Sequence, residues 1–189
     1  DGRGVGWERR GKGRECRGIG AVVSLVEEER GRKGHIYTQM LPPPSVEQAR
    51  ALAHFREGKN VVVTAVAGAG KSTMLLHACA AYPDDEVCVV AYNAPLAAEM
   101  NDLLAAAGLT KAAAYTFHSL ASAVFRLCPD DNTMYDLVQE AHRGEATPKK
   151  FLTPSHLLLD EMQDMRDLYW EMLNLAFDLP RTHTLVCGD

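Results

Sequence analysis

The chain has 189 residues, 20 Lys and Arg against 25 Asp and Glu, a net charge of −5, and 47% hydrophobic and 7% aromatic residues. That is the make-up of an ordinary globular domain and excludes fibrous, collagen-like and wholly disordered chains. No stretch approaches the roughly 18–20 consecutive apolar residues of a membrane-spanning helix. Cys16, Cys79, Cys88, Cys128 and Cys187 form no Cys-x-x-Cys pair; this argues against a disulfide scaffold and a structural zinc site, and points to a reducing, intracellular compartment.

Charge is unevenly spread. Residues 1–34 hold nine of the 20 basic residues, six of the 25 acidic ones and nine of the 15 glycines. The rest carries 11 basic and 19 acidic side chains, a net of −8. We therefore divide the chain into a Gly/Arg-rich leader, 1–40, and a domain, 41–189. The leader lacks apolar periodicity, and its glycines raise the entropic cost of order, so it is expected to be disordered. A competing reading takes Arg3 to Arg17 and the apolar run Ile19 to Val26 as a targeting signal, against which stand Glu8, Glu15 and the following Glu27–Glu29. The first methionine is Met40, so the residues before it are expected to be a fragment edge or lie outside the working protein.

Val61 to Val66 is a β-branched run of the kind that forms a strand covered on both faces. Ala67-Gly68-Ala69-Gly70-Lys71-Ser72-Thr73 follows, and Met74 to Ala81 reads as a helix. Strand, glycine-rich turn, Lys-Ser and helix is the context of a phosphate-binding loop. Glycines let backbone N–H groups converge on phosphate, and the helix start adds partial positive charge. Lys71 would reach the terminal phosphates and the Ser72 hydroxyl would ligate Mg²⁺. The usual first glycine is Ala65 here.

Val87 to Ala91 and Ala112 to Tyr115 read as further strands, and Leu157-Leu158-Leu159 as a buried strand running into Asp160-Glu161-Met162-Gln163-Asp164. Asp160 at the strand end would hold the metal, and Glu161 would polarise the water that attacks the γ-phosphate. An acidic helix start is the plainer reading of these acids taken alone. Pro129 to Pro154 is polar, with a short helix expected around Tyr135 to Val138. Asp167 to Asp178 carries Leu168, Trp170, Met172, Leu173, Leu175, Ala176 and Phe177, a stripe expected to be core.

In their order, these motifs resemble the superfamily 1 helicases of the UvrD/Rep/PcrA type over about residues 45–189. Ser45 to Ala51 looks like the family's glutamine motif, Ala65 to Thr73 its loop, and Val89 to Asn93 with Leu96 to Met100 its motif Ia, closest to the F-box DNA helicase branch. Tyr115 to Ala121 resembles motif Ib, Asp160 to Asp164 motif II, and Leu185 to Asp189 the opening of motif III. Ala94 stands where motif Ia has a lysine.

The resemblance implies an α/β fold, a RecA-like P-loop NTPase with a mostly parallel sheet and flanking helices. It implies that ATP and Mg²⁺ are bound by Gln48, which reads adenine, and by Ala65, Val66, Ala67, Gly68, Ala69, Gly70, Lys71, Ser72 and Thr73, with Ser72 and Asp160 on the metal. Lys71, Asp160 and Glu161 would be catalytic. Tyr92, Asn93, Thr116 and His118 would contact single-stranded DNA, and a second motor domain would complete the site. The implied activity is that of an ATP-dependent DNA helicase or translocase, placed in the nucleus of a eukaryote or otherwise in the cytoplasm. With the −8 balance and Ala94, weak DNA affinity is expected of this segment alone. Plainer roles compete: a half-buried core aromatic for Tyr92, a structural histidine for His118. The rival for the whole chain is a truncated or degenerate nucleotide-binding module without motor activity. A small-molecule kinase is a third option, in which Gln48 and the Thr116-Phe117-His118-Ser119 run have no role.

Overall fold

The computed structural model describes residues 41–148, 154–177 and 179–189. The leader, residues 149–153 and Asp178 lie outside the described residues, and with them the expectation of a disordered or targeting leader. Within the described residues the elements are α1 (Val46–Arg56), β1 (Val61–Thr64), α2 (Lys71–Ala80), β2 (Val87–Val90), α3 (Ala94–Ala106), β3 (Ala112–Tyr115), α4 (Phe117–Val124), α5 (Asp131–His142), β4 (His156–Leu159), α6 (Asp167–Ala176) and β5 (His183–Gly188). One-turn 3₁₀ segments at Met162–Asp164 and Leu179–Arg181 precede α6 and β5. No helix among these is long and apolar enough to cross a membrane.

The helix starts are written in the sequence. Ser45, Asn93, Thr116 and Asp130 each accept a hydrogen bond from a backbone N–H of the first turn, and each such cap is worth about 1 kcal/mol. α1 and α4 add the reciprocal bond of a capping box. Pro95 sits in the first turn of α3, where its missing N–H costs nothing.

All five strands are parallel, in the order β1-β5-β4-β2-β3. The chain steps outward from β1 to β2 to β3, then returns to β4 and β5. Right-handed crossovers send helices of opposite travel to opposite faces. Accordingly α1, α2 and α3 pack with Val87, Val89, Leu158, Leu185 and Cys187 on one face, and α4, α5 and α6 with Cys88, Val90, Leu157, Leu159 and Val186 on the other. The alternation along each strand is the period of two that a doubly covered sheet requires. Leu157, Leu158 and Leu159 are essentially inaccessible, each contributing about 1.5–3 kcal/mol of burial.

Two expectations are corrected. β1 is not covered on both faces. It is an outer strand, with Val61 and Val63 packed against the α1–α3 core while Val62 is 70% exposed. The helices of the other face pack over the central strands and stop short of it. In α6 the inward aromatic is Tyr169, at 5% exposure, while Trp170 is 45% exposed and Leu168 and Leu175 are only partly buried. The rest of the stripe is core as expected, with Met172, Leu173, Ala176 and Phe177 buried, and only Trp170 departs from it. The short helix of the 129–154 segment extends to the twelve residues of α5, anchored by buried Met134, Leu137 and Val138.

The opposite outer strand, β3, is closed by a side chain. Asn101 donates from Nδ2 to the Ala114 carbonyl and accepts the Ala114 N–H at Oδ1, both at 2.8 Å. It takes the place of a neighbouring strand at that residue and blunts the edge.

Candidate nucleotide site and the carboxyl edge of the sheet

In a parallel sheet every strand ends at the same edge, so the segments after β1, β5, β4, β2 and β3 lie side by side there. With strands about 4.8 Å apart, the row is about 19 Å wide. It runs from the loop at 65–70, past Asp189 and the acids Asp160 and Glu161, to Tyr92 and then Thr116 and His118. Ligands of open α/β sheets bind at this edge.

The loop after β1 is shaped by two glycines at positive φ, Gly68 at 80° and Gly70 at 82°. Gly70 is also the N-cap of α2. A Cβ on Gly70 would lie 2.9 Å from Gln48 Nε2, so the glycine is required for close approach as well as for conformation. Gln48 is fully engaged. Its carbonyl accepts the Ser45 N–H at 2.8 Å, and its amide donates to the carbonyls of Ala69 at 3.2 Å and Gly70 at 3.1 Å. The Gln48 side chain thus stitches α1 to the loop. Ala65 continues the ladder through its N–H to the Gly188 carbonyl, 2.8 Å, and the Val66 carbonyl accepts the Ala69 N–H at 3.1 Å.

Lys71, the first residue of α2, is buried, and its ammonium turns back across the end of β5. It hydrogen-bonds Asp189, reaches Glu161 Oε2 at 3.4 Å and donates to the Ala65 carbonyl at 3.3 Å. The Asp189 bond is the largest influence on its pKa, which is raised despite opposing desolvation. The cation is therefore held by acids at the position where a phosphate-binding lysine meets phosphate. Ser72 is exposed at the helix start and Thr73 half-buried behind it.

Asp160 continues the ladder of β4, its N–H donating to the Val90 carbonyl at 2.9 Å. Its side chain is 7% exposed and accepts the Glu161 N–H at 3.0 Å. Burial, and then the neighbouring Glu161 charge, push its pKa up; the Glu161 N–H bond and Lys71 pull the other way. A buried carboxylate so disfavoured is a place for a cation. Glu161 sits in the left-handed region at φ 53°, ψ 52°, the sole non-glycine residue with positive φ among those described. This backbone costs roughly 1–2 kcal/mol, and strain of that kind concentrates at functional sites. Gln163 fixes the turn, donating to Glu161 Oε2 at 2.7 Å and accepting the Asp189 N–H at 3.1 Å.

These residues fit a nucleotide with a hard divalent cation. The loop has the glycines, lysine and helix start that phosphate requires, and Ser72 with Asp160 supply the hydroxyl and single carboxylate that Mg²⁺ commonly takes alongside phosphate oxygens. No cluster of three or more His, Cys, Asp or Glu side chains able to hold a metal occurs among the described residues. The four described cysteines are buried and unpaired, and burial pushes the thiols of Cys79 and Cys187 up to about 12.

Farther along the edge the four nucleic-acid candidates are placed differently. Tyr92 directly follows the buried Ala91 after β2 and is 46% exposed, so the core-aromatic reading of it fails. Asn93 and Thr116 cap α3 and α4, accepting the N–H of Leu96 at 3.0 Å and of Ser119 at 3.1 Å. His118 is partly buried with Nε2 2.9 Å from Asp131 Oδ1. Gln163 and Asp189 are site residues that the motif readings contained without assigning a role. Asp131 carried no sequence signal, because its contact depends on how α5 packs.

The sequence profile of a family described as an AAA domain matches residues 48–189. No curated protein matches the chain. The profile begins at Gln48, spans the loop and the acids, and covers every strand of the parallel sheet; the chain belongs to this family of P-loop AAA domains.

Proposed function

We propose that this domain is the first motor domain of an ATP-dependent DNA helicase or translocase. The observation that carries the reading is the meeting of Lys71 with Glu161 and Asp189, on the same sheet edge as the exposed Tyr92. In the proposed cycle Lys71 exchanges its carboxylate partners for the terminal phosphates of ATP, and the released Glu161 takes the proton of the attacking water. Gln48 faces adenine after giving up its bonds to the loop. Ser72 and Asp160 would hold Mg²⁺, whose contribution when bound is to offset charge on the phosphate oxygens. Tyr92 offers a stacking surface for a base, and Asn93, Thr116 and His118 line the strand's path. A second motor domain would supply further catalytic groups and close on the nucleotide, moving single-stranded DNA one step.

The test is ATP turnover by the full-length protein with and without single-stranded DNA. Turnover should rise with DNA and collapse in Lys71→Ala. A specific observation favours a second reading, a nucleotide-binding module without motor activity: Ala94, exposed at the start of α3 where motif Ia has a lysine, offers no phosphate contact. Turnover indifferent to DNA would favour that module.

A further inference from the structure

Asp131 lies in no motif, yet it joins the motif of His118 to the segment that follows Asp160–Asp164. It opens α5, and its carboxylate accepts three hydrogen bonds. His118 Nε2 lies 2.9 Å and the Tyr169 hydroxyl 3.0 Å from Oδ1, and Arg166 donates to Oδ2. Arg166 also donates to the Tyr169 hydroxyl, with its guanidinium 4.6 Å from the centre of that ring. Tyr169 in turn stacks on Phe117, ring centres 4.4 Å apart and 7° from parallel, and meets the edge of His118. Burial pushes the Asp131 pKa up, but the bonds from Arg166, Tyr169 and His118 outweigh it, and the net shift is downward. The carboxylate is held ionised.

The two ends of this cluster matter. His118 and Phe117 open α4, directly after β3. Arg166 is the N-cap of α6, two residues beyond the Met162–Asp164 turn whose Gln163 holds Glu161. A displacement of the His118 ring therefore meets a carboxylate that also holds the segment following Glu161. The bond at Nε2 ties one edge of the ring to Asp131 and leaves Nδ1 outside that bond.

We propose that Asp131 is a positioning residue that couples polynucleotide contact at His118 to the hydrolytic acids through Arg166 and Tyr169. The proposal rests on the motor reading above and adds the route by which DNA stimulates turnover. Residues of one hydrogen-bonded network depart from additivity when changed together, and coupling between sites is a measurable free energy.

The experiment is a double-mutant cycle of Asp131→Asn and His118→Gln in the full-length protein, reading the DNA concentration for half-maximal stimulation of ATP turnover. Glu140→Gln, which breaks the ion pair between Glu140 of the same helix and Arg126, is the control for a purely structural effect. Asp131→Asn should raise that concentration about fivefold or more, His118→Gln should add little to it, and Glu140→Gln should match wild type. Should Asp131→Asn fail to fold, Arg166→Gln tests the link from its other end with the same expectation. Stimulation of Asp131→Asn equal to wild type, or fully multiplicative effects in the double variant, would overturn the coupling and leave the motor reading intact. A wild type indifferent to DNA would overturn both.

Discussion

The ammonium of Lys71 stands 3.4 Å from Glu161 Oε2 while hydrogen-bonded to Asp189, so loop and acids are joined across two strand spacings, about 10 Å. One cation is shared by two carboxylates, and Asp160 is buried beside them. In the proposed cycle phosphate replaces those partners without leaving the lysine unpaired. Glu161→Gln keeps the size of the side chain and removes its basicity. It should retain nucleotide affinity and lower ATP turnover by about 100-fold or more, the usual contribution of a general base. Parallel binding and steady-state measurements check this.

The left-handed backbone of Glu161 opposes stability. Glycine adopts that conformation freely and alanine does not. Glu161→Gly should therefore be more stable than Glu161→Ala by about 1 kcal/mol in denaturant unfolding, with both variants lacking turnover. Equal stabilities would show that the strain is absent in solution.

Gly68 and Gly70 share nearly the same φ but not the same surroundings. A Cβ on Gly68 meets nothing within 4 Å, whereas one on Gly70 displaces the Gln48 amide. Gly68→Ala should cost only the conformational penalty of about 1–2 kcal/mol. Gly70→Ala should cost about 1 kcal/mol more, for the bonds Gln48 makes to the loop. In a Gln48→Ala background the two substitutions should cost the same, as read by urea unfolding.

His156 reports on stability toward acid. It is 3% exposed, stacked on Tyr82 at 3.7 Å and edge-on to Phe55 at 5.3 Å. Burial drives its pKa down to about 4, with Asp85 opposing and His183 assisting. Between the unfolded value of 6.5 and about 4, the unfolded chain takes up a proton that the folded one refuses, so stability rises with pH through this window and is lost as pH falls. The loss approaches about 3 kcal/mol at its acid end. His156→Phe should flatten the dependence of unfolding free energy on pH between 7 and 4, and an unchanged slope would assign the acid sensitivity elsewhere.

What the sequence made legible was local. The Gly68-Ala69-Gly70-Lys71 turn and Leu157–Leu159 running into Asp160 depend on neighbours within a few positions, and each falls where its pattern places it. Strand order is not local. Val61 to Val66 reads as an inner strand, but pairing only with β5 makes it an outer one. Trp170 and Tyr169 differ by one residue of helix phase, which composition cannot separate when both are aromatic. The partners of Lys71 and His118 come from 118 and 13 residues away, and the strained turn at Glu161 has no signature in residue type. The motifs announced which side chains matter, and packing decided what they hold.

On the proposed reading, Lys71 is the phosphate-binding cation of this edge. Titration calorimetry of ATP with Mg²⁺ against wild type and Lys71→Ala measures what that cation contributes. Loss of charge-assisted bonds worth about 1.5–3 kcal/mol predicts about a 10- to 100-fold weaker complex in the variant. Equal affinity in the two proteins, or no binding to the wild type, would show that Lys71 holds no phosphate.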